Sequence, residues 1–450
     1  MKPRHRRPWI GAAVVIASAL TLSACGGGDD VSTDPGDDTS TAATDAAEVS
    51  GPLEVWVRAA NDSLVSYEML FEKFTEETGV EIEVFATLTD FETKLSAAAA
   101  ARDLPDIVIN DASQLGNLQS QGIIRSFDQS SIEGGDDLSD AAWSSVESID
   151  GQTYGVPFSA QANLLFVRTD WLDNLGLQAP TTWDEFVNVA KAFTTQDPDG
   201  DGQANTYGVA IPGSTQRGYI SWNWSTYLWQ AGGEYVEIDG DTVTPVIDSD
   251  EAIEAATWFQ NLFCTENVVQ PGALNATTLE TNEAFQTGVV GMYLTGPYNI
   301  PTSDGTAVGG HYTVVAPPKA PNGGTSTMAE GTTIYFMVDS EVEAAADAFA
   351  EFMITPEAQE IGMVGNPKAS IVRLPVNTTV DSTTVRDGDE RWGIAQEVYE
   401  SDGHYEPIAV PQWQEMRQAA SDTFNKTISS CGDMSAALAE LNQQYEQILS

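Results

Sequence analysis

Leu53-Glu-Val-Trp-Val-Arg58 reads as a strand, and the residues after it repeat a change of period that decides the fold. Residues 64–77 carry Met69, Leu70 and Phe74 at helical spacing, with Gly79 placed to end the helix. Val80, Ile82 and Val84 then alternate with Glu81 and Glu83, the period of a half-buried strand. A helix over 91–102 follows, then Pro105 and the short apolar strand Ile107-Val-Ile109. Strands separated by helices of this length predict right-handed crossovers and a mostly parallel sheet. Ligands in such sheets lie at the carboxyl ends of strands, which directs attention to residues 58–62 and 110–113.

Outward from this stretch the alternation continues, with helices expected over 182–193, 249–263 and 341–352. The last helix carries Met434, Leu438, Leu441, Tyr445 and Ile448 along one face, a stripe for core packing. The N-terminus has a different character. Lys2, Arg4, Arg6 and Arg7 precede an apolar run over 9–22 that is too short to favour a permanent membrane span. Leu22-Ser-Ala-Cys25 resembles the bacterial lipobox, so residues 1–24 are expected to be a lipoprotein signal peptide and Cys25 the lipid attachment site. Residues 25–50, rich in Gly, Asp, Ser, Thr and Ala, have too little apolar surface to offset ordering entropy and are expected to be an acidic tether.

Against 67 acidic residues the chain has 19 basic ones, a net charge of −48, which argues against nucleic acid or anionic lipid as a partner. Membrane association is therefore expected through the N-terminal lipid only. With Cys25 set aside, Cys264 and Cys431 are the remaining thiols, and an oxidising extracellular setting suggests a disulfide between them; two separately buried thiols are the alternative.

A longer ordered set of motifs carries a resemblance. Tyr154-Gly-Val-Pro157, Asn163-Leu-Leu-Phe-Val-Arg168, Trp171-Leu172, Leu175-Gly-Leu177 and Pro180-Thr-Thr-Trp-Asp-Glu-Phe186 occur in series. Pro105-Asp-Ile-Val-Ile-Asn110 and Gly122-Ile-Ile124 precede them. Gly291-Met-Tyr-Leu-Thr-Gly-Pro-Tyr298, Thr355-Pro-Glu-Ala-Gln359 and Leu374-Pro375 follow. Together they resemble the extracellular solute-binding family 1, the sugar-binding lipoproteins of ABC importers, of maltodextrin-binding type.

The resemblance implies an α/β fold of two periplasmic-binding-protein-like lobes, each a mostly parallel sheet flanked by helices, with a ligand cleft and hinges. It assigns 51–159 plus 317–365 to the first lobe and 160–316 plus 366–450 to the second. Hinges are expected near 158–163, 314–317 and 367–375. It further implies an extracellular, membrane-anchored monomer that passes a sugar, a di- or oligosaccharide, to the importer's permease subunits.

Sugar recognition needs aromatic faces for the ring and planar polar groups for the hydroxyls. Trp222 and Trp224 supply aromatic faces within Ser221-Trp-Asn-Trp224, with one of the pair open to a core role. Tyr298 stands where relatives carry an aromatic after Gly-Pro, and Trp413 lies where they place a stacking tryptophan. Asn61, Asp62, Asp111 and Ser113 follow strands of the first lobe, where they serve equally as turn or cap residues. Gln161 and Asn163 sit at the first expected hinge, Glu330 in a cleft-facing stretch of relatives, and Arg373 near the last hinge as a bidentate clamp.

Asp197, Asp199, Asp201, Gln203 and Asn205 place oxygens at alternating positions around Gly202, like a calcium loop, but Gly208 stands where the bidentate glutamate belongs. A structural calcium ion is the one metal candidate, and no other cofactor is expected. No Walker loop, zinc signature or Ser/His/Asp set is present, so a non-catalytic binding protein is the leading reading. An anchored glycosidase using paired carboxylates and a binding protein for a non-sugar such as a polyamine are the alternatives.

Overall fold

The computed structural model describes residues 52–59, 62–366 and 369–450; the signal, tether and lipid-attachment expectations, and Asn61, lie outside them. Among the described residues twelve strands form two main sheets and a hairpin. The first sheet contains β1 (Leu53–Val57), β2 (Ile82–Ala86), β3 (Ile107–Asp111) and β4 (Val156–Ala162). The second begins with β5 (Leu164–Arg168) and β6 (Tyr207–Ala210). Strands β7 (Val236–Asp239) and β8 (Thr242–Pro245) make the hairpin. Strands β9 (Val290–Thr295) and β10 (Tyr312–Val315) complete the second sheet, and β11 (Thr327–Phe336) and β12 (Gly403–Tyr405) return to the first.

The first sheet runs β12-β11-β3-β1-β2, with β4 also on β11; the second runs β10-β5-β9-β6. Both are mixed: three of five pairings in the first sheet are parallel, as expected, and one of three in the second. Strands β1, β2 and β3 are parallel, as their intervening helices require, but β11 runs antiparallel to both β3 and β4. In the second sheet β5 is antiparallel to β9 and β10, and only β6 and β9 are parallel. Strand β4 passes into β5 through Asn163 alone, so one nearly continuous stretch runs from the first sheet into the second.

Helices follow the apolar periodicity closely. Asp62–Thr78 buries Tyr67, Leu70, Phe71 and Phe74, and Phe74 meets Phe349 edge-on at 5.4 Å. Thr182 and Ser249, where two helices were expected to start, are their N-caps and accept from the backbone N–H of Glu185 and Ala252. Helices Trp413–Ser429 and Met434–Leu449 pack in a core that includes Trp224, Tyr235, Phe259 and Phe424. The disulfide Cys264–Cys431, Cα atoms 5.8 Å apart, ties the end of helix Asp250–Cys264 to the turn between those last two helices. No helix among the described residues is long and apolar enough to cross a membrane.

Candidate functional site

Where the two sheets meet, side chains from both enclose a cavity of ≈ 250 Å³. Its first wall comes from the carboxyl ends of parallel strands. Arg58 directly follows β1 and Asp111 ends β3, and their side chains lie 3.3 Å apart. The Asp111 carboxylate also meets Arg217 at 3.2 Å, from the turn that precedes helix Tyr219–Ala231. Arg217 adopts φ 54°, a left-handed conformation uncommon for a non-glycine residue. Burial would raise the Asp111 pKa, yet Arg58, Arg217, Arg373 and Arg417 outweigh it and hold the carboxyl below its ordinary value. Four guanidinium fields thus converge on one carboxylate.

The floor comes from a cross-strand pair. Glu330 on β11 and Gln161 on β4 stand opposite each other, and Gln161 Nε2 donates to Glu330 Oε2 at 2.5 Å. Gln161 is buried, and its Oε1 has no hydrogen-bond partner. Behind the floor a recess of ≈ 20 Å³, large enough for about one water, is lined by Ser113, Tyr405 and Glu406 among others. Burial pushes Glu406 above the usual carboxylate range even though Arg417 lies 3.3 Å away.

The opposite wall is aromatic. Tyr219 and Trp222 come from helix Tyr219–Ala231, and Tyr298 from the Gly-Pro turn after β9. Thr295 Oγ1 donates to the Tyr298 hydroxyl at 3.0 Å, while the Arg373 guanidinium lies over the Tyr298 ring at 5.4 Å. Arg373 is fixed from behind, its backbone N–H donating to Ser159 Oγ.

Of the residues singled out in the sequence, Asp111, Ser113, Gln161, Trp222, Tyr298, Glu330 and Arg373 line this cavity together. Others do not. Trp224 is fully buried against Phe424 and Tyr235, on the far face of its helix from Trp222. Trp413 is also in the core, donating to Glu406 Oε2 and so standing one residue behind the recess. Asn163 is buried at the β4–β5 junction, where its carbonyl accepts from Thr327 Oγ1. Asp62 lies exposed in the first turn of its helix, and its carbonyl accepts from Asn366.

Arg217, Tyr219, Thr278 and Arg417 line the cavity without having been singled out, and Arg58 only as the start of the flagged stretch 58–62. The signal was charge scarcity: in so acidic a chain each arginine invites inspection, and Arg58 directly follows a strand flagged by its carboxyl end. In the Asp-rich loop the carboxylate oxygens of Asp197, Asp199 and Asp201 lie within 4.8 Å of one another, all exposed. Gln203 and Asn205 instead turn their amide N–H groups toward Asp201.

Comparison with known proteins places the chain. LipO, a lipoprotein of Bacillus subtilis, is 27% identical over 277 residues, which cover 58% of this chain and 51% of LipO. The chain therefore spans about half the length of that relative. A solute-binding protein of an ABC transporter from Thermotoga lettingae, solved with α-D-tagatose, superposes with a TM-score of 0.74 at 19% identity, covering 88% of this chain and 99% of that one. The cyclic α-maltosyl-1,6-maltose binding protein of Arthrobacter globiformis superposes with a TM-score of 0.73 at 22% identity, covering 89% and 99%. These likenesses are of fold: two lobes of mixed sheet flanked by helices. Residues 61–360, two thirds of the sequence, match the family itself, and the chain belongs to the bacterial extracellular solute-binding proteins.

Proposed function

We propose that this protein captures a saccharide in the cavity between its sheets and delivers it to the permease subunits of an ABC importer. The carrying observation is the pairing of three aromatic residues, Tyr219, Trp222 and Tyr298, with planar polar groups on Gln161, Glu330 and Arg373. Aromatic faces accept the C–H surface of a sugar ring, and the polar groups match its hydroxyls. The sugars bound by the structural relatives, tagatose and a cyclic maltosyl-maltose, support the same class. A polyamine suits the site poorly, since four arginines line it.

We propose binding without catalysis. Asp111, held ionised by two arginines, is unsuited to act as a general acid, which weakens the glycosidase alternative. We also carry forward the lobes as 51–159 with 317–365 and 160–316 with 366–450, closing by hinge motion about the β4–β5 junction. Sheet membership supports this division except at β4, whose residues 160–162 lie past the boundary, and β12, which pairs with β11 of the first sheet. Lipid attachment at Cys25, an extracellular monomeric state and delivery to a permease belong to the same proposal. Binding itself needs no cofactor in this reading. A structural calcium ion at Asp197, Asp199 and Asp201 is proposed separately, supported by their convergence and tested by whether EDTA lowers the melting temperature.

The test is a thermal-shift screen of the full chain in detergent against saccharides, with spermidine and peptides as controls. A ligand that binds the native state alone at 100 times its Kd stabilises by about 2.7 kcal/mol. The expected result is a rise with one saccharide class that Tyr219→Ala and Trp222→Ala each weaken. A rise with spermidine or peptides alone overturns the proposal.

A further inference from the structure

Four of the nine arginines between residues 51 and 450 line this single cavity. Elsewhere the chain offers an anion little but repulsion, so the concentration of positive charge here is selective. The nearby carboxylates do not neutralise it. Asp111 is shared by Arg58 and Arg217, at 3.3 and 3.2 Å. Glu330 accepts from Gln161, and Glu406 lies against Arg417. Arg373 has no carboxylate within ion-pairing distance among the described residues, and its guanidinium rests on the Tyr298 ring. In the lining itself four guanidinium groups stand beside two carboxylates, Asp111 and Glu330, so the lining is positive. Glu92 and Glu406 reach Arg58 and Arg417 from outside it, at 3.5 and 3.3 Å.

Hydrogen-bonding capacity points the same way. The Nε atoms of Arg58 and Arg417 are buried and make no well-aligned hydrogen bond, although Glu92 and Glu406 lie 3.5 and 3.3 Å from them. Buried donors left unmade are costly, so the cavity is matched to a ligand that brings acceptors. A neutral sugar hydroxyl accepts, but a carboxylate accepts through two oxygens in the planar geometry that a guanidinium fork fits.

We infer that the ligand of this cavity is an acidic saccharide, a uronate whose carboxylate faces Arg373 while its ring lies against the aromatic wall. This rests on the saccharide reading above and narrows it.

The experiment is calorimetric titration of the full chain in detergent with di- and trigalacturonate and glucuronate-containing disaccharides. Each is paired with its carboxyl-reduced, neutral counterpart, and a sugar phosphate is added as a separate arm. At least tenfold tighter binding of a uronate than of its neutral partner is expected, shrinking as salt is raised from 0.05 to 0.5 M, as a charge-assisted contact requires. Arg373→Gln should remove most of that preference and Arg373→Lys only part. The salt dependence tests the inference even if those variants fold poorly. Equal or tighter binding of the neutral partners, or tighter binding of the sugar phosphate, overturns the acidic-saccharide inference and leaves the saccharide reading standing. Absence of binding by every saccharide, charged or neutral, overturns both.

Discussion

Trp224 follows Trp222 by two residues, about 200° around a helix, so the two side chains leave from nearly opposite faces. One lines the cavity while the other packs at 4.2 Å between ring centroids against Phe424. Trp224→Ala is accordingly expected to cost about 3–5 kcal/mol of stability by urea unfolding, the usual range for a large core truncation. Unchanged stability with lost ligand binding would reverse that assignment.

A second residue-scale prediction concerns Glu234, a half-buried side chain whose pKa desolvation pushes up to about 7, although Trp229 Nε1 donates to its Oε2. His404 lies 3.4 Å away, but burial lowers its pKa, so its imidazole supplies no compensating charge at neutral pH. A carboxyl with a folded pKa above its ordinary 4.5 stabilises the native state fully below that value. The contribution is lost as pH rises towards 7. Glu234→Gln keeps an acceptor for Trp229 and should flatten the fall in melting temperature between pH 4.5 and 7. An unchanged pH profile rules this out.

Residue types at the site were legible in the sequence; side-chain direction was not. Gln161 and Glu330 were readable as polar residues in the right segments, but their facing each other depends on the register of two strands 169 positions apart.

At the scale of elements, the disulfide joins positions 167 residues apart and so closes a long loop. In the chain-entropy account such closure stabilises by roughly 3–5 kcal/mol. Urea unfolding with and without dithiothreitol should show a loss of that order, and a Cys264→Ser/Cys431→Ser variant should match the reduced protein. No difference on reduction sinks this account.

Helices were legible because caps and apolar stripes are local: Thr182 and Ser249 mark their helix starts in the sequence as clearly as in the fold. Strand direction is not local. Strand β5 pairs antiparallel with β9, more than 120 positions further on, and no period within 156–168 shows that partner.

For the whole molecule, the hinge proposed above would make closure and binding one event, with a ligand in a cavity walled by both sheets completing its contacts as the lobes approach. Small-angle X-ray scattering should therefore give a smaller radius of gyration with saturating ligand than without. An unchanged radius at saturation argues against hinge closure.

The interleaved chain also sets a timetable. Strands β1 to β3 are made within the first 111 residues, yet their neighbour β11 begins only at Thr327. At ribosomal speeds the wait is roughly 10–40 s. A fragment ending at residue 326 should lack cooperative unfolding by circular dichroism, and a cooperative transition would refute the dependence. Until β11 emerges, one edge of β3 lacks its partner, so the first sheet is completed only after more than two thirds of the polypeptide has been made.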